Sequence, residues 1–436
     1  MIDVEFASYI LCGLPLIGAL LSLIFWGQAD RVKAASVVLS LASFGAVVGL
    51  TRFLIVSPEG LVLAYLLPLV ASASILGQPI HHEHRVSWIT TLVFLGFGLG
   101  ALTNQDWPGQ VALCMVFILT TVLLYRHHTA LWPMSWWGVG AFAFGGLCIA
   151  VATVSGPPVS SALTLLACAV LLPLLPFHDG YITALTRLPG SLPSFTAVLF
   201  PALGLHGLSY AITAVPDSAV WTAGLFALGG GLFGAAKALC QSRVRLLLAY
   251  GSLSFFSITW WFIASSHLVG PQTGVFVGAV GLTTSGLLTA WQVIRTRYGD
   301  DVDPYSISGL AATMPKYAVV LSLITLAAMG LPPFGVFSGF VGLLFTTTLT
   351  SAAAVSAILV VWLAASWYLM DSTQRLLFGR QRMDLRHEDL RVPEFSALLI
   401  ILGLVTFLGM APTTLFSAES ISSITGLLEG LSVWNG

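Results

Sequence analysis

An all-α polytopic membrane protein of about fourteen transmembrane helices is the fold class this sequence predicts, on three observations. Of its 436 residues 57% are hydrophobic and only 8% are charged, and the mean hydropathy is +0.94. Soluble globular chains carry about 25% charged residues. No soluble fold of this length hides so much apolar surface, so the solvent is lipid. Apolar runs of about 17–25 residues, enough to cross the hydrocarbon core, recur with short connections. Two of the runs are interrupted by paired prolines.

The spans fall near residues 9–26, 34–54, 60–77, 87–103, 109–125, 136–155, 159–177, 193–213, 219–240, 247–267 and 272–294, with a last one at 392–411. The first follows Asp3 and Glu5 rather than a basic start, and no small-residue cleavage site ends it. It reads as a membrane span and not as a signal peptide. Cys12, Cys114, Cys148, Cys168 and Cys240 lie in or beside apolar spans without metal or redox spacing, and read as buried small hydrophobes.

Orientation follows from the basic residues. Arg31 with Lys33, Arg85, Arg126, Arg187, Arg243 with Arg245, and Arg295 with Arg297 occupy alternate loops, while Glu59, Asp106 and Asp217 sit in the others. Positive loops are cytoplasmic, so the N-terminus is expected outside. The segment 371–391 holds Arg375, Arg380, Arg382, Arg386 and Arg391 and belongs on the cytoplasmic side as well. That requires one long broken span, not two ordinary ones, before the small-residue stretch near 350. Fourteen spans result, with both termini outside.

The break falls at Gly330-Leu331-Pro332-Pro333. Proline lacks a backbone donor and clashes with the preceding turn, and the groups it frees are tolerated only against protein or water. A second break lies at Pro173 and Pro176, in LLPLLPFHDG. The interrupted spans are the seventh and the twelfth. Breaks in corresponding positions point to an inverted-repeat transporter fold.

Several short motifs follow one another in order: Pro173, Pro176-Phe177-His178, Ala184 and Pro189; Gln241, Arg243, Arg245 and Leu247-Leu248-Ala249-Tyr250-Gly251-Ser252; Gly309-Leu310, Met314-Pro315, Gly330 to Pro333, and Arg375 to Gly379. In this order and spacing the chain resembles the antiporter-like membrane subunits of respiratory complex I. That family includes subunits of multisubunit sodium/proton antiporters and membrane-bound hydrogenases. The resemblance covers roughly residues 90–380. It implies antiporter-like inverted repeats, with residues 1–86 as N-terminal helices, 87–370 as the transmembrane core, 371–391 as a cytoplasmic amphipathic segment and 392–436 as a C-terminal helix and tail. It also implies a bacterial or archaeal inner membrane, other membrane subunits and peripheral redox subunits as partners, and no cofactor in this chain.

Relatives of this kind are thought to move protons or sodium along a buried axis of charged residues, whose pKa values respond to burial and to neighbours. The departures from that pattern are consistent with one another. No Asp or Glu occurs between Asp106 and Asp179, where a fifth-helix glutamate is expected. The positions of the seventh- and eighth-helix lysines fall on Leu171 and Ala202, and that of the twelfth-helix charge on Phe340. Residues 272–294 contain neither Lys nor His. Conduction by the usual route is not expected.

Five residues remain as proton-path candidates. Lys237 lies inside a span, and Lys237, Gln241 and Arg245 stand at i, i+4 and i+8, one stripe if the helix runs on. Lys237 either accepts protons or snorkels to the headgroups. His206, one turn after Ala202, either titrates near neutrality or is a hydrogen-bonded structural group. His178 with Asp179 follows the proline break, as a proton relay or as a helix cap. The loop His81-His82-Glu83-His84 reads as solvated, because one short loop gives poor convergent metal geometry. Asp300, Asp301 and Asp303 read as a solvated turn. Trp132, Trp136 and Trp137 read as one interfacial belt, and Trp260-Trp261 as another. The sequence holds no phosphate loop, dinucleotide fingerprint, nucleophile elbow or iron–sulfur cysteine set, so redox chemistry falls to other subunits. A net charge of −1 gives no case for nucleic acid. Three functional readings stand: a subunit of a complex I-like assembly, the membrane half of a cation-coupled inorganic-carbon uptake system paired with a soluble zinc protein, or a non-conducting structural subunit.

Overall fold

Apolar runs become helices here because a bilayer offers no partner to a backbone N–H or C=O, and a helix satisfies them within one segment. The computed structural model describes residues 4–54, 57–104, 106–127, 135–299, 307–346, 352–379 and 388–411. Asp3, Trp132, Asp300, Asp301, Asp303, Arg380, Arg382, Asp384, Arg386 and the tail from 412 lie outside the described residues.

The helices are α1 (Val4–Ile24), α2 (Ala29–Leu50), α3 (Pro58–Leu76), α4 (Arg85–Thr103), α5 (Trp107–Arg126), α6 (Trp136–Ala152), α7 (Val159–Leu171), α8 (Asp179–Arg187), α9 (Leu192–Ala211), α10 (Asp217–Leu239), α11 (Val244–Ser266), α12 (Pro271–Tyr298), the single turn α13 (Leu310–Thr313), α14 (Pro315–Ala328), α15 (Gly335–Thr346), α16 (Ala352–Leu377) and α17 (Val392–Met410). Among the described residues eleven helices are long and apolar enough to cross a membrane unaided; α6, α7, α14 and α15 are shorter and apolar. With α7–α8 and α14–α15 each taken as one interrupted span, the order gives fourteen crossings.

The apolar stretch of α12 is buried throughout, and those of α3, α4, α9 and α11 are mostly so, whereas α1, α2, α5, α10, α16 and α17 leave most of theirs uncovered. An inner group of helices is therefore wrapped by an outer one that faces lipid. At its centre α12 packs against α3, α9, α11, α14, α15 and α17. Small residues permit these approaches, as they commonly do where lipid supplies no hydrophobic drive between helices. Gly234 on α10 lies against the Tyr250 carbonyl and the Ser254 amide of α11, and Gly281 on α12 lies against the Ala197 carbonyl of α9.

Several expectations need correction. The seventh span does not end at 177: Asp179–Arg187 is helical, so the proline break lies inside the span with helix on both sides. The polar segment expected from 371 opens as helix rather than as loop: α16 runs on to Leu377 and pairs Asp371 with Arg375 across one turn at 2.8 Å. The stripe through Lys237, Gln241 and Arg245 does not exist, since α10 stops at Leu239 and α11 starts at Val244. Trp260 and Trp261 are buried rather than lining an interface, while Trp136 and Trp137 are exposed. Of the cysteines, Cys148 and Cys168 are buried, Cys12 and Cys114 partly so, and Cys240 is exposed at the end of α10.

A Cβ added at Gly234 would stand 2.9 Å from the Tyr250 oxygen and 3.0 Å from the Ser254 nitrogen, while one at Gly229 meets nothing within 4 Å. Gly234→Val should therefore destabilise the protein by about 1–3 kcal/mol, in the range of overpacking, and Gly229→Val should have far less effect. Thermal unfolding of the two variants in detergent checks the contrast.

Candidate functional site

The interruption of the seventh span is built from both sides. Beyond Leu171 the chain turns, with Leu172 N–H donating to the Cys168 carbonyl at 2.8 Å and Leu174 N–H to the Ala169 carbonyl at 3.0 Å. The Leu172 carbonyl, which a continuous helix would have used, accepts instead from the indole Nε1–H of Trp260 on α11 at 2.9 Å. Gly204 on α9 allows this turn to approach closely, since a Cβ there would lie 2.5 Å from the Leu172 nitrogen. Past the break, the Tyr181 hydroxyl on α8 meets the Ser252 hydroxyl on α11 at 3.3 Å. α8 is thereby fastened to the α11 run that carries the basic motif.

At the head of α8, three of the candidates come together. His178 is buried, its Nδ1 lies 3.3 Å from the Pro176 carbonyl, and its Nε2 lies 3.7 Å from Oδ1 of the half-exposed Asp179. The imidazole stands edge-on to Phe233 of α10 at 5.4 Å. Over the same ring, at 5.7 Å, sits the Lys237 ammonium. Tyr250 of α11 closes the group, 6.2 Å from Phe233. One aromatic ring thus serves a fixed cation and a group that can become one. The Asp179 carboxylate is the acidic side chain that His178 faces. The cluster can exchange a proton at its exposed carboxylate edge.

The other two candidates lie apart. Arg245 donates to the Thr186 carbonyl of α8 at 3.1 Å and to Oε1 of Gln292 on α12 at 3.2 Å. It ties the broken span to the central helix. His206 is buried on α9, 5.0 Å from the Tyr210 ring, with an Nδ1 that has no partner among the described residues. The loop His81 to His84 is largely exposed, and its short helical turn faces away from the core.

Where the family's charges would stand, the interior is apolar. Leu171 and Ala202 are completely buried. Phe340 on α15 packs in an aromatic group with Trp362 of α16 at 4.2 Å, Phe262 of α11 at 6.1 Å and Phe276 of α12 at 6.2 Å. A matching group fills the other half: Phe200 of α9 lies 5.1 Å from Phe142 and 6.3 Å from Phe94, and Phe142 lies 6.1 Å from Phe117. The rings fill the space around Phe340 and Phe200.

The largest charged cluster was not foreseen as a site. Arg297 on α12 and Glu394 on α17 form an ion pair at 2.7 Å, their side chains 10% and 7% exposed. Arg297 also donates to the Asp389 carbonyl at 3.1 Å. The Asp389 carboxylate accepts the Lys316 and Tyr317 amides at the start of α14 at 2.9 and 3.2 Å, where a helix N-terminus favours an anion. Arg297 had been read only as a loop charge, and Glu394 drew no notice. A signal was available: Glu394 stands in the first turn of a span, right after Pro393, where lipid gives a carboxylate no partner.

The family described as NADH:quinone oxidoreductase/Mrp antiporter, transmembrane, matches residues 152–366 of this chain. Subunit M of the F(420)H(2) dehydrogenase of Methanosarcina mazei is 27% identical over 277 residues, 60% of this chain and 54% of that protein. The chain thus spans about half the length of that curated relative. Respiratory complex I from Thermus thermophilus contains a chain of similar fold, with a TM-score of 0.78, 18% identity, and coverage of 92% of this chain and 95% of that one. The membrane-bound sulfane sulfur reductase, an archaeal respiratory membrane complex, contains another, with a TM-score of 0.80, 17% identity, and coverage of 92% and 76%. At such identities these likenesses speak for the fold alone.

Trp260→Phe keeps the ring but leaves the Leu172 carbonyl unpaired, and should destabilise the protein by about 1–3 kcal/mol. Lys237→Met, at an exposed position, should leave the unfolding midpoint nearly unchanged. Detergent-phase thermal unfolding of the two variants distinguishes a structural bond from a peripheral charge.

Proposed function

We propose that this chain, whose residues 152–366 match the antiporter-like transmembrane family, is an antiporter-like membrane subunit of a multisubunit, complex I-like assembly. In this reading it occupies the place of a proton-moving subunit without conducting along the family's buried axis. The observation that carries the reading is the pairing of two retained helix breaks with an apolar interior at Leu171, Ala202 and Phe340. An unrelated membrane protein would have little reason to keep both interruptions, and a conducting one would keep ionisable groups between them. Redox chemistry and any cofactor belong to partner subunits, both membrane-embedded and peripheral. The basic loops face the cytoplasm across an inner membrane, and both termini lie outside.

Within this proposal His178, Asp179 and Lys237 form a proton-exchanging mouth on one side of the membrane. Arg245 holds that mouth to the central helix. His206 is a buried, isolated group. The mouth has no continuation, since the neighbouring axis positions are Leu171 and Ala202.

Two measurements test the proposal. A tagged chain isolated from native membranes in mild detergent should bring down sister antiporter-like chains together with iron–sulfur or flavin subunits, identified by mass spectrometry. Recovery of a single large soluble zinc protein would instead support the inorganic-carbon reading, and recovery of nothing would remove the assembly. The purified chain in liposomes should dissipate an imposed pH gradient no faster than empty vesicles; a clear proton flux would contradict the closed axis.

A further inference from the structure

Lys33 stands near the start of α2, on the side of the bundle where α3, α12 and α17 meet. It is 7% exposed, although its helix otherwise faces largely outward. Its amine donates to the Leu76 carbonyl at 3.0 Å and to the Gln78 carbonyl, the free oxygens at the end of α3. Those are the acceptors it has among the described residues. A lysine ammonium has three N–H donors, whereas the neutral amine has two. The count of acceptors matches the neutral form: loss of one proton costs neither hydrogen bond.

The nearby anion does not hold the charge in place. Glu394 is close enough to act on Lys33 electrostatically, but its carboxylate is already taken by Arg297 at 2.7 Å and by the Arg391 amide at 2.9 Å. The remaining charges around Lys33 are few. Asp30 and Arg31 on its own helix are exposed; His84 and Arg85 begin α4, with Arg85 bonded to the Trp26 carbonyl; Asp389 is spent on the start of α14. The adjoining end of α1 has no ionisable side chain.

Two polar atoms without partners among the described residues belong to residues close to Lys33 in the fold, one on its own helix and one on the residue whose carbonyl it holds. Ser36, one turn along the same face of α2, is fully buried, with a hydroxyl that has no partner among the described residues. Gln78, whose carbonyl Lys33 holds, is also buried; its Oε1 accepts from the Trp88 indole at 2.7 Å, while its Nε2 has no partner among the described residues. Buried groups of this kind are rarely left unmade unless water or an exchanging group visits them.

We propose that Lys33 is the proton-exchanging group of a buried polar site formed with Ser36, Gln78 and Glu394, in which Arg297 fixes the charge of Glu394. The ammonium releases one proton to water at this edge of the bundle and remains as an amine bonded to the same two carbonyls; the reverse step takes the proton back. The site is remote from the interrupted spans. It requires only that the chain spans a membrane, and does not depend on the parent assembly.

The test uses the full-length protein labelled with carbon-13 at lysine Cε and titrated by NMR in nanodiscs. The chain has three lysines, Lys33, Lys237 and Lys316, and Lys33→Arg assigns one resonance while keeping a cation in place. The expected result is a Lys33 signal that completes its own titration, resolved from the other two, between about pH 6 and pH 11, a range that brackets an ordinary lysine. In Glu394→Gln its midpoint is displaced while those of Lys237 and Lys316 stay. A Lys33 signal that remains fixed across the range marks a permanently charged structural lysine and overturns the proposal. One that moves together with Lys237 and Lys316 overturns it too, and an unmoved midpoint in Glu394→Gln removes Glu394 from the site. The wild-type curve decides the main question even if Glu394→Gln does not fold. A flat Lys33 signal leaves the assembly reading untouched, and a failed co-purification leaves the titration untouched.

Discussion

Each interruption of a helix inside a bilayer releases a carbonyl or an amide that lipid cannot satisfy, and each such group costs several kcal/mol if left alone. The rest of this structure is arranged around that demand. At the first break the Trp260 indole takes up the Leu172 carbonyl, and Gly204 lets the turn come close enough. At the second, Leu331 N–H donates to the Leu326 carbonyl at 3.2 Å, Gly330 adopts a positive φ of 75°, and the Trp362 ring lies where a Cβ of residue 330 would stand. Gly409 on α17 packs directly on the Pro333 carbonyl, which seals the other side. A tryptophan and a close glycine attend each break. α11 and α16, which carry the tryptophans, are thereby placed as firmly as the broken spans themselves.

The same demand explains why the breaks persist although the axis is apolar. Once neighbouring helices have evolved to cover a break, removing it would leave Trp260 without an acceptor and strand Gly204, Gly330 and Gly409 opposite bulk. The interior that remains is filled by two aromatic groups, centred on Phe200 and on Phe340. Their rings pack in tilted and edge-to-face pairs rather than as parallel stacks. Ionisable residues have instead collected at the rim: His178, Asp179 and Lys237 at the first break, and Lys33, Arg297, Asp389 and Glu394 where α2, α12, α14 and α17 end.

The rim clusters divide into bonds that hold and groups that can change state. Arg297 with Glu394 is a buried pair, for which loss of one partner is far costlier than the pair is stabilising. Arg245 between α8 and α12 plays a comparable part with neutral acceptors. His178 and Lys33, by contrast, are each held by carbonyl oxygens that serve the neutral and the protonated form alike. The arrangement separates fixed charges from exchangeable ones within a few turns of helix.

How much of this the sequence carried depends on what varies along one dimension. The polytopic class, the fourteen crossings and both breaks were legible, because hydropathy, proline and loop charge act locally along the chain; the axis positions came only from the family resemblance. The continuation of the seventh span into α8 was missed because Asp179 and Arg187 resemble loop charges, whereas the end of α10 near residue 240 was legible from the polar stretch that follows it. Only the tertiary structure could decide which way each side chain points. In spans apolar on every face, lipid and interior leave no contrasting period, so sequence alone did not separate Trp260, plugging a break, from the exposed Trp136. Lys33, Arg297 and Glu394 are far apart along the chain, the nearest two separated by 97 residues, and read singly as surface charge. Their union is decided by where α2, α12 and α17 end, a property of packing rather than of any one segment.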